Sequence, residues 1–544
     1  MNSANPAPLP DPPDPTVTVV VIGYDDAAHV TDAVRSALAQ GPAVREVLAV
    51  DDCSTDGSAE LLDALAAGEP RLHVVRREVN SGGCGTPRND GIDRASSSYV
   101  MFLDSDDVLP PGAVDALLAA AGRHGAQVTA GLCVRRELPS GREVPWRPEL
   151  YARPALVTRP ERRPRLVTDT LCVNKLYRTD FLREHAVRFP DGRFVYEDFV
   201  FTARVLAAAP RMALIPDRVY VWHVRRAAQK LSLSLDRAGI DNWQARLDAH
   251  RQSVALLLDA SQKRLARAAR TSFLDHSVRM YARELDLRSP EYRAEWWTRT
   301  RAYLETFDTA DFEAAPAPGR VVGRLVLASP APRDLARVKE VAARPARLLP
   351  PYARAPDGTP VWSADLPQVS LEHLLHRPMR KLPVTVDGEL VPRARGTRLT
   401  LLLHELYGRV AEAGPRTVDV ELVDRRRGTV LQRRAATFTA RSGDGGQDGS
   451  WVASAVLDLS ALGRPGTCDI RLRLHFADGG HRDATPHAVR RPGLLRRVAV
   501  PSRRHGVLLA QPYATHSGAL ALRTAAGPRG VVSVLRRRAA RLFH

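Results

Sequence analysis

The stretch "YVMFLDSDDVLPPG", residues 99–112, joins an apolar run of strand length to a cluster of carboxylates. The run ends in Asp104, Ser105, Asp106 and Asp107, and two prolines follow. Three carboxylates at one point repel each other unless a cation or hydrogen-bond donors hold them. A capping cluster ahead of the next helix is the structural interpretation. A site for Mg²⁺ or Mn²⁺, completed by phosphate oxygens, is the functional one.

The chain around this stretch alternates strand and helix patterns from residue 16 onward. Such alternation predicts an α/β domain with a Rossmann-like, mostly parallel sheet and right-handed crossovers. Ligands bind such sheets beyond the carboxyl ends of the strands, where both Asp51–Asp52 and Asp104–Asp107 fall. The apolar runs that predict strands are residues 16–22, 46–50, 72–77, 98–103 and 126–134.

The rest of the chain divides into segments with different patterns of hydrophobic and polar residues. Helical periodicity dominates residues 226–350, and short alternating strands such as "DIRLRLHF" (469–476) predict a β-sandwich further on. The C-terminal segment is basic, which suits either a solvated helix or a contact with membrane or polymer. The predicted divisions are a disordered tail 1–15, an α/β domain 16–225, a helical linker 226–350, a β-sandwich domain 351–530 and a basic tail 531–544.

The composition limits the classes of protein that remain. The 544 residues suffice for two to four domains, and the net charge of +18 favours anionic partners such as nucleic acid, anionic lipid or a phosphate-bearing polymer. Frequent use of arginine for any polar position explains this charge equally well. The five cysteines are scattered without a CxxC pair, which indicates reduced thiols and a cytoplasmic location. No apolar run reaches the roughly 18 residues of a membrane span, so membrane contact is expected only at the inner surface.

Two polar motifs follow strands earlier in the chain. In "VDDCSTDGS" (50–58), the aspartates suit either ribose and base hydrogen bonds or an Asx-turn with a helix cap. In "VNSGGCGTPRNDGI" (79–92), the glycines let the backbone approach a ligand, and Arg88 offers a planar fork for phosphate. This second motif matches neither a P-loop nor GxGxxG, so alone it indicates only a glycine-rich turn.

Two further motifs lie beyond residue 190. "FVYEDFVF" (194–201) places Glu197 and Asp198 among apolar residues, which suits either the charged start of a helix or a base in a dry pocket. "VYVWHVR" (219–225) puts His223 after a short strand, where it is either structural or a metal ligand.

The order of these motifs resembles the family 2 glycosyltransferases with the GT-A fold. That family runs "VDDxSxD", "NxGxxxxRNxG", "DSDD", "NKLYR", "ED"; this chain has "VDDCSTD", "NSGGCGTPRNDG", "DSDD", "NKLYR" and "YED" in the same order. The resemblance covers residues 16 to about 225. It is especially similar to the poly(ribitol-phosphate) N-acetylglucosaminyltransferases of wall teichoic acid. Those enzymes carry a helical linker and C-terminal β-sandwich modules, which implies a homo-oligomer, a trimer, formed through the C-terminal region.

The resemblance implies a role for each matching position. Asp198 becomes the general base, positioned by Glu197, and Asp106 with His223 becomes the metal site for Mn²⁺ or Mg²⁺. One departure is that the opening strand ends in "IGYD", with Ile22 and Asp25 where the family has Pro and Asn. The residues implied to bind the nucleotide sugar are Tyr24, Asp51, Asp52, Asn80, Arg88, Asp104 and Ser105.

The resemblance predicts an inverting transferase that moves a sugar from a nucleotide sugar, UDP-linked and GlcNAc-like, to a hydroxyl of an anionic glycopolymer such as teichoic acid. Two alternatives stay open. One is a transferase of capsule or exopolysaccharide synthesis that uses a lipid-linked acceptor at the membrane. The other is a catalytically inactive polymer-binding protein. A nucleic-acid partner is not expected, because no recognisable motif interleaves arginine with aromatic residues.

Overall fold

The computed structural model describes residues 15–225, 237–393, 396–441, 449–462, 464–489 and 494–527. Almost all of the predicted N-terminal tail, and the whole basic tail 531–544, lie outside these ranges. The chain forms two compact units: Met1–Phe273 with Thr306–Ala314, and Leu274–Glu305 with Ala315–His544. The helices of the predicted linker are therefore shared between the two units.

The first unit is built on a nine-stranded sheet with the order β3-β2-β1-β4-β8-β5-β9-β7, and β6 pairs with β5. Apolar β-branched runs such as "VTVVVI" form strands buried on both faces, because helices cover the sheet. The strands are β1 (Val17–Gly23), β2 (Val44–Asp51), β3 (Leu72–Arg76), β4 (Tyr99–Asp104), β5 (Val128–Leu138), β6 (Arg142–Pro145), β7 (Ala155–Val157), β8 (Lys175–Arg178) and β9 (Met212–Arg225).

Eight helices of this unit, α1 to α8, connect or follow the strands, and a further short one, α11, returns after the second unit has begun. In α11, the carboxylate of the buried Asp311 accepts from Arg270 at 2.9 Å. The helices are α1 (Val30–Leu38), α2 (Ser58–Ala66), α3 (Gly85–Arg94), α4 (Ala113–His124), α5 (Thr179–Glu184), α6 (Glu197–Ala207), α7 (Ile240–Asp259), α8 (Lys263–Ser272) and α11 (Thr309–Ala314).

The N-terminal part of the sheet, β3-β2-β1-β4, is parallel throughout. Gly23 pairs with Asp51 and Ile22 pairs with Asp104, so the carboxyl ends of the central strands stand at one edge. This register confirms the predicted α/β class and brings the two aspartate motifs together, as expected for a parallel sheet.

The sheet is mixed beyond β4, and this differs from the mostly parallel sheet that the sequence predicts. The "NKLYR" motif supplies β8, which is antiparallel to both β4 and β5. Parallel pairing resumes only between β5 and β9. A four-residue strand has too short an apolar run to be predicted from its periodicity, and its tertiary neighbours decide its direction.

The second unit begins with helices and continues as β structure, as predicted for the C-terminal part of the chain. Within the described ranges, no helix combines the length and the apolar character needed to cross a membrane. The helices of the second unit are α9 (Arg279–Ala282), α10 (Pro290–Leu304), α12 (Ala317–Ala328), α13 (Leu335–Ala342), α14 (Glu372–Leu375) and α15 (Arg409–Ala413).

Two main sheets form the β part, with orders β16-β17-β13-β12-β20 and β15-β14-β18-β23-β22-β21, and β19 pairs with β18. β10 (Ala353–Arg354) and β11 (Pro360–Val361) form a separate pair. The "DIRLRLHF" stretch lies in β18 and buries alternate residues, as predicted. The strands of the main sheets are β12 (Val386–Val391), β13 (Thr397–His404), β14 (Pro415–Asp424), β15 (Val430–Thr437), β16 (Thr439–Arg441), β17 (Ser450–Leu457), β18 (Thr467–Phe476), β19 (His481–Ala484), β20 (His487–Ala488), β21 (Val498–Ser502), β22 (Gly506–Ala514) and β23 (Leu520–Ala526).

The packing of α3 on β1 leads to a testable prediction. A Cβ on Gly91 of α3 would lie 2.3 Å from Val20 Cγ1, so Gly91→Ala forces the helix away from the sheet. We expect a loss of about 1–3 kcal/mol in the free energy of unfolding, measured from urea midpoints. Gly122→Ala in α4 is the matched control, because its Cβ meets nothing within 4 Å. Equal midpoints for the two variants would contradict this packing.

Candidate functional site

The first of the two aspartate motifs closes on the glycine-rich loop. The buried carboxylate of Asp52 accepts from the Ser81 backbone N–H at 3.1 Å and from Asn80 Nδ2 at 3.2 Å, and it forms an ion pair with Arg77, whose Nε lies 2.9 Å away. Burial raises the pKa of Asp52, and the hydrogen bonds from Ser81 offset part of that effect. Asp51 is also buried and accepts from the Ser54 N–H at 3.0 Å. Asp51, Asp52 and Asn80 therefore come together, as the motif order predicts.

The turn after β1, where the sequence departs from the family pattern, has a structural role. Asp25 adopts a positive φ of 50°, and its Oδ1 accepts from the Thr55 N–H at 2.7 Å. Its own N–H donates to Ser54 Oγ at 2.9 Å. Asp25 therefore ties this turn to the loop after β2. The neighbouring Tyr24 is 43% exposed, which leaves its ring accessible to a ligand.

The aspartates after β4 have different environments. Asp107 is buried, and its carboxylate accepts from Tyr220 OH and from the His223 N–H, both at 2.7 Å. It therefore fastens β9 to the motif. Asp106 has a side chain that is 46% exposed, so it faces the open edge of the sheet. Burial of its carboxyl, together with the charge of Asp104, raises the pKa of Asp106 to about 6.

His223 is oriented by the backbone of the same motif. Its Nδ1 lies 3.0 Å from the carbonyl oxygen of Asp106, which favours the tautomer protonated at Nδ1 and leaves Nε2 as an acceptor. Arg225 Nη1 lies 3.1 Å from the Asp106 carboxylate, so a cationic group already stands at this position. Ser105 turns away and donates to the Asp26 carboxylate at 2.7 Å.

These residues suit a hard divalent cation. Asp106 offers a partly exposed carboxylate with a raised pKa, and the Nδ1 contact of His223 is the arrangement usual for a metal-binding imidazole. Among the described residues, no three His, Cys, Asp or Glu side chains are grouped to hold a metal unaided. Two protein ligands are nevertheless enough where diphosphate oxygens and water complete the shell.

The centre of the site is a buried arginine. Arg88 is 2% exposed, and its guanidinium donates from Nη2 to Asp104 at 2.7 Å. Its Nη1 donates to Glu197 at 2.7 Å and to Asp198 at 3.3 Å. One side chain therefore joins the motif after β4 to the first turn of α6. The sequence predicts Arg88 as a phosphate-binding fork, whereas in the structure its fork holds three carboxylates, which we call the Arg88 cluster.

The Arg88 cluster lies on an apolar floor. Phe189 and Phe201 stack with their ring centroids 3.9 Å apart, and Arg88 lies 5.2 Å above the centroid of Phe189. Burial, and then the charge of Asp198, raises the pKa of Glu197 to about 7. The pKa of Asp198 is also raised by burial, while Arg88 and a hydrogen bond from the buried thiol of Cys172 act in the opposite direction. The two carboxyls thus share the dry environment of a general base.

The residue before the acidic pair has an unusual backbone. Tyr196 is buried and has a φ of 69°, which costs a bulky residue about 1–3 kcal/mol. Its hydroxyl donates to Asn242 of α7 at 2.9 Å, and Arg246 of the same helix lies 4.7 Å from its ring centroid. Helix α7 therefore fixes the entry to α6. Neither Tyr196 nor Cys172 is predicted as functional, because hydrophobic periodicity does not distinguish them from core residues.

Comparisons with known proteins agree with this geometry. Residues 18–186 match the model of the family described as "Glycosyl transferase family 2". The match confirms the predicted resemblance over that segment. Glu197, Asp198 and His223 lie beyond the matched segment, so their roles remain predictions from the sequence.

Two of the curated relatives each match about two fifths of the chain. Poly(ribitol-phosphate) beta-N-acetylglucosaminyltransferase TarS of Staphylococcus aureus strain MW2 is 29% identical over 217 residues, which cover 40% of this chain and 36% of that protein. The succinoglycan biosynthesis protein ExoO of Rhizobium meliloti is 30% identical over 236 residues, which cover 41% of this chain and 64% of that protein. The chain thus spans about a third of the length of the first relative and less than two thirds of the second.

A solved structure resembles more of the chain. The crystal structure of S. aureus TarS aligns with a TM-score of 0.51 at 17% identity, and the alignment covers 94% of this chain and 85% of that one. At this identity the likeness concerns the fold alone. It confirms the predicted succession of a GT-A-like domain, helices and further β-sheets.

The Arg88 cluster leads to a prediction for stability. Arg88→Met leaves three carboxylates without their cation, so we expect a loss of about 3–5 kcal/mol in the free energy of unfolding at pH 8. The loss should shrink at pH 5.5, because Glu197, whose pKa is already raised to about 7, is then protonated. The measurement is urea unfolding of both proteins at the two pH values.

Arg188→Met is the control, since Arg188 forms an ion pair with Asp93 near the surface. We expect it to cost less than about 1 kcal/mol at either pH. A penalty for Arg88→Met that does not depend on pH would show that lost packing, and not charge, explains its role.

Proposed function

We propose that the chain is an inverting, metal-dependent glycosyltransferase that moves a sugar from a nucleotide sugar to a hydroxyl of an anionic cell-envelope polymer. The observation that carries this proposal is the Arg88 cluster, which joins the Asp104 motif to Glu197 and Asp198. It gives one site both a partly exposed carboxylate, Asp106, for the donor side and a dry carboxylate pair for the acceptor side. The name of the TarS relative supports GlcNAc as the sugar and poly(ribitol-phosphate) as the acceptor, and UDP as the carrier of the sugar is part of the proposal.

In the proposed mechanism, Asp198 accepts the proton of the acceptor hydroxyl as the oxygen attacks the anomeric carbon. Burial favours this step, because a carboxylate with a raised pKa is a stronger base near neutral pH. Glu197 and Arg88 position Asp198, because one carboxylate oxygen of Glu197 and one of Asp198 accept from the same nitrogen, Nη1 of Arg88. A single displacement inverts the configuration of the anomeric carbon.

On the donor side, Asp106 and the Nε2 of His223 would hold the divalent cation. When bound, Mn²⁺ or Mg²⁺ neutralises the charge that develops on the leaving diphosphate. Asp52 and Asn80 shape the loop that would receive the nucleoside, and Tyr24 offers its exposed ring beside them.

Asp198→Asn separates binding from chemistry. We expect donor affinity within about twofold of the parent and transfer reduced by about 10²–10⁴-fold, because the amide accepts no proton. Calorimetric titration with UDP-GlcNAc or UDP-glucose measures the first quantity, and incorporation of labelled sugar into a ribitol-phosphate polymer measures the second. Asp93→Asn, in a surface ion pair, is the control. Full turnover by Asp198→Asn would refute the assignment of the base.

Asp106→Asn tests the metal site. We expect the donor affinity measured with Mn²⁺ to fall by about tenfold or more, because one of the two proposed protein ligands is lost. The affinity measured in EDTA should stay unchanged, which provides the internal control. A variant that keeps its Mn²⁺-dependent gain in affinity would contradict a ligand role for Asp106.

A second candidate is supported by the match to ExoO. This match covers 64% of ExoO, whereas the match to TarS covers 36% of TarS. It is a transferase of exopolysaccharide synthesis whose acceptor is carried on a lipid. Flotation with anionic liposomes, with and without residues 531–544, distinguishes the two candidates. Tail-dependent flotation together with transfer to a lipid-linked acceptor, but not to the polymer, would favour the second.

A further inference from the structure

A group of cations gathers on the second unit, far along the sequence from the Arg88 cluster. The turn Met379–Lys381 follows α14 and lies against β19. Arg482 of β19 donates from Nη1 to the carbonyl oxygen of Arg380. Because Arg482 pairs with the buried Leu474 of β18, its side chain leaves the sheet on the side where this turn lies. We call Arg377, Arg380, Lys381 and Arg482 the basic cluster.

Arg377 and Arg482 of the basic cluster are both half-buried. Burial lowers the pKa of Arg482, and the charge of Arg377 lowers it further. Burial lowers the pKa of Arg377 as well. Among the residues that the structure describes, the buried Nε of Arg482 has no hydrogen-bond partner. Like charges that approach in a partly dry place, with a donor left over, are stabilised by an anion between them.

The neighbouring carboxylates do not supply that anion. Asp483, next to Arg482, pairs with Arg473 at 2.7 Å. Asp275, whose charge reaches Arg377, accepts from Arg279 at 2.5 Å and also from Arg344 at 3.0 Å. Each of these carboxylates is thus committed to another arginine.

The remaining exposed side chains add further positive or titratable groups. Arg380 and Lys381 are exposed, and so are His373 and His376 on the preceding helix and turn. Glu372 is the one acidic residue in the stretch 371–382, and its carboxylate accepts from Ser370 Oγ at 3.4 Å. The surface is therefore strongly cationic around the guanidinium of Arg482, which its hydrogen bond to Arg380 holds in place.

We propose that the basic cluster binds phosphodiester groups of an anionic polymer. The planar fork of arginine matches phosphate oxygens two at a time, and several such contacts hold a repeating polyanion with an affinity that salt weakens. The proposed function supplies only the identity of the polymer, as the acceptor of transfer.

A polymer fits this surface better than a membrane does. None of the large exposed apolar side chains of the described residues lies in the stretches 371–382 or 481–484. Surfaces that bind bilayers add apolar side chains, which enter the headgroup region, to their cations. The basic cluster offers charge and hydrogen-bond donors without such anchors.

The test compares two triple variants of the full chain that lose the same charge. The first is Arg377→Gln, Arg380→Gln and Arg482→Gln. The second, the control, is Arg425→Gln, Arg433→Gln and Arg503→Gln, whose arginines are exposed and ion-paired with Asp469, Glu421 and Asp458. Fluorescence anisotropy with a labelled ribitol-phosphate polymer, without donor, measures binding between 50 and about 300 mM NaCl. Circular dichroism checks that both variants fold.

We expect the first variant to lose about tenfold or more in affinity and to show a weaker dependence on salt, while the control stays within about threefold. If the first variant does not fold, Arg380→Gln with Lys381→Gln, both exposed, replaces it with a smaller loss expected. Equal losses in the two triple variants, or unchanged binding in the first, would overturn the proposal. Loss of binding to phosphatidylglycerol vesicles alone, with polymer binding retained, would overturn it too.

Failure of this proposal is distinguishable from failure of the proposed function. Hydrolysis of UDP-GlcNAc or UDP-glucose in the presence of Mn²⁺ tests the Arg88 cluster without any polymer. Hydrolysis that is retained while cluster-dependent polymer binding is absent refutes the basic cluster alone. The opposite result refutes the transferase and leaves a polymer-binding surface.

Discussion

The constraint on which the site depends is a buried positive charge that three carboxylates share. Arg88 stands almost out of contact with solvent and touches Asp104, Glu197 and Asp198. The guanidinium is not tolerable alone in such a place, because an unpaired buried ion costs several kcal/mol. The end of β4 and the first turn of α6 must therefore assemble around this guanidinium, and the catalytic geometry that we propose follows from the need to pair its buried charge.

Close backbone contacts keep that assembly rigid. A Cβ on Gly85 at the start of α3 would lie 2.2 Å from the carbonyl oxygen of Pro190, and one on Gly83 would lie 2.7 Å from that of Gly192. The glycine-rich motif thus packs directly on the segment that leads to the acidic pair. Its glycines allow two segments of the protein to pack closely. The motif alone suggests that they allow the backbone to approach a ligand. The strained Tyr196, held by α7, completes the same support.

The sequence predicts where the site lies better than it predicts the hydrogen bonds and ion pairs within it. Strand-end logic locates the aspartates after β2 and β4, because parallel strands bring their carboxyl ends to one edge. The different environments of Asp106 and Asp107 do not show in the sequence, because their partners lie more than 110 positions away. Tyr220 and the His223 N–H donate to Asp107, whereas Arg225 pairs with Asp106. Arg88 and its partners in α6 are separated by 109 and 110 positions, so no local pattern reveals their contact. The antiparallel direction of β8 also depends on distant neighbours, β4 and β5, and no local pattern reveals it.

The return of α11 to the first unit has a consequence for how such a chain is inherited. Asp311 is buried and paired with Arg270, although residues 274–305 in between belong to the second unit. No single cut of the gene separates the two units without removing a native piece of one. Recombination that exchanged the whole second unit for another would have to replace residues 274–305 as well as the chain after residue 314, or it would lose α11. The discontinuity thus favours descent of the two units as one block.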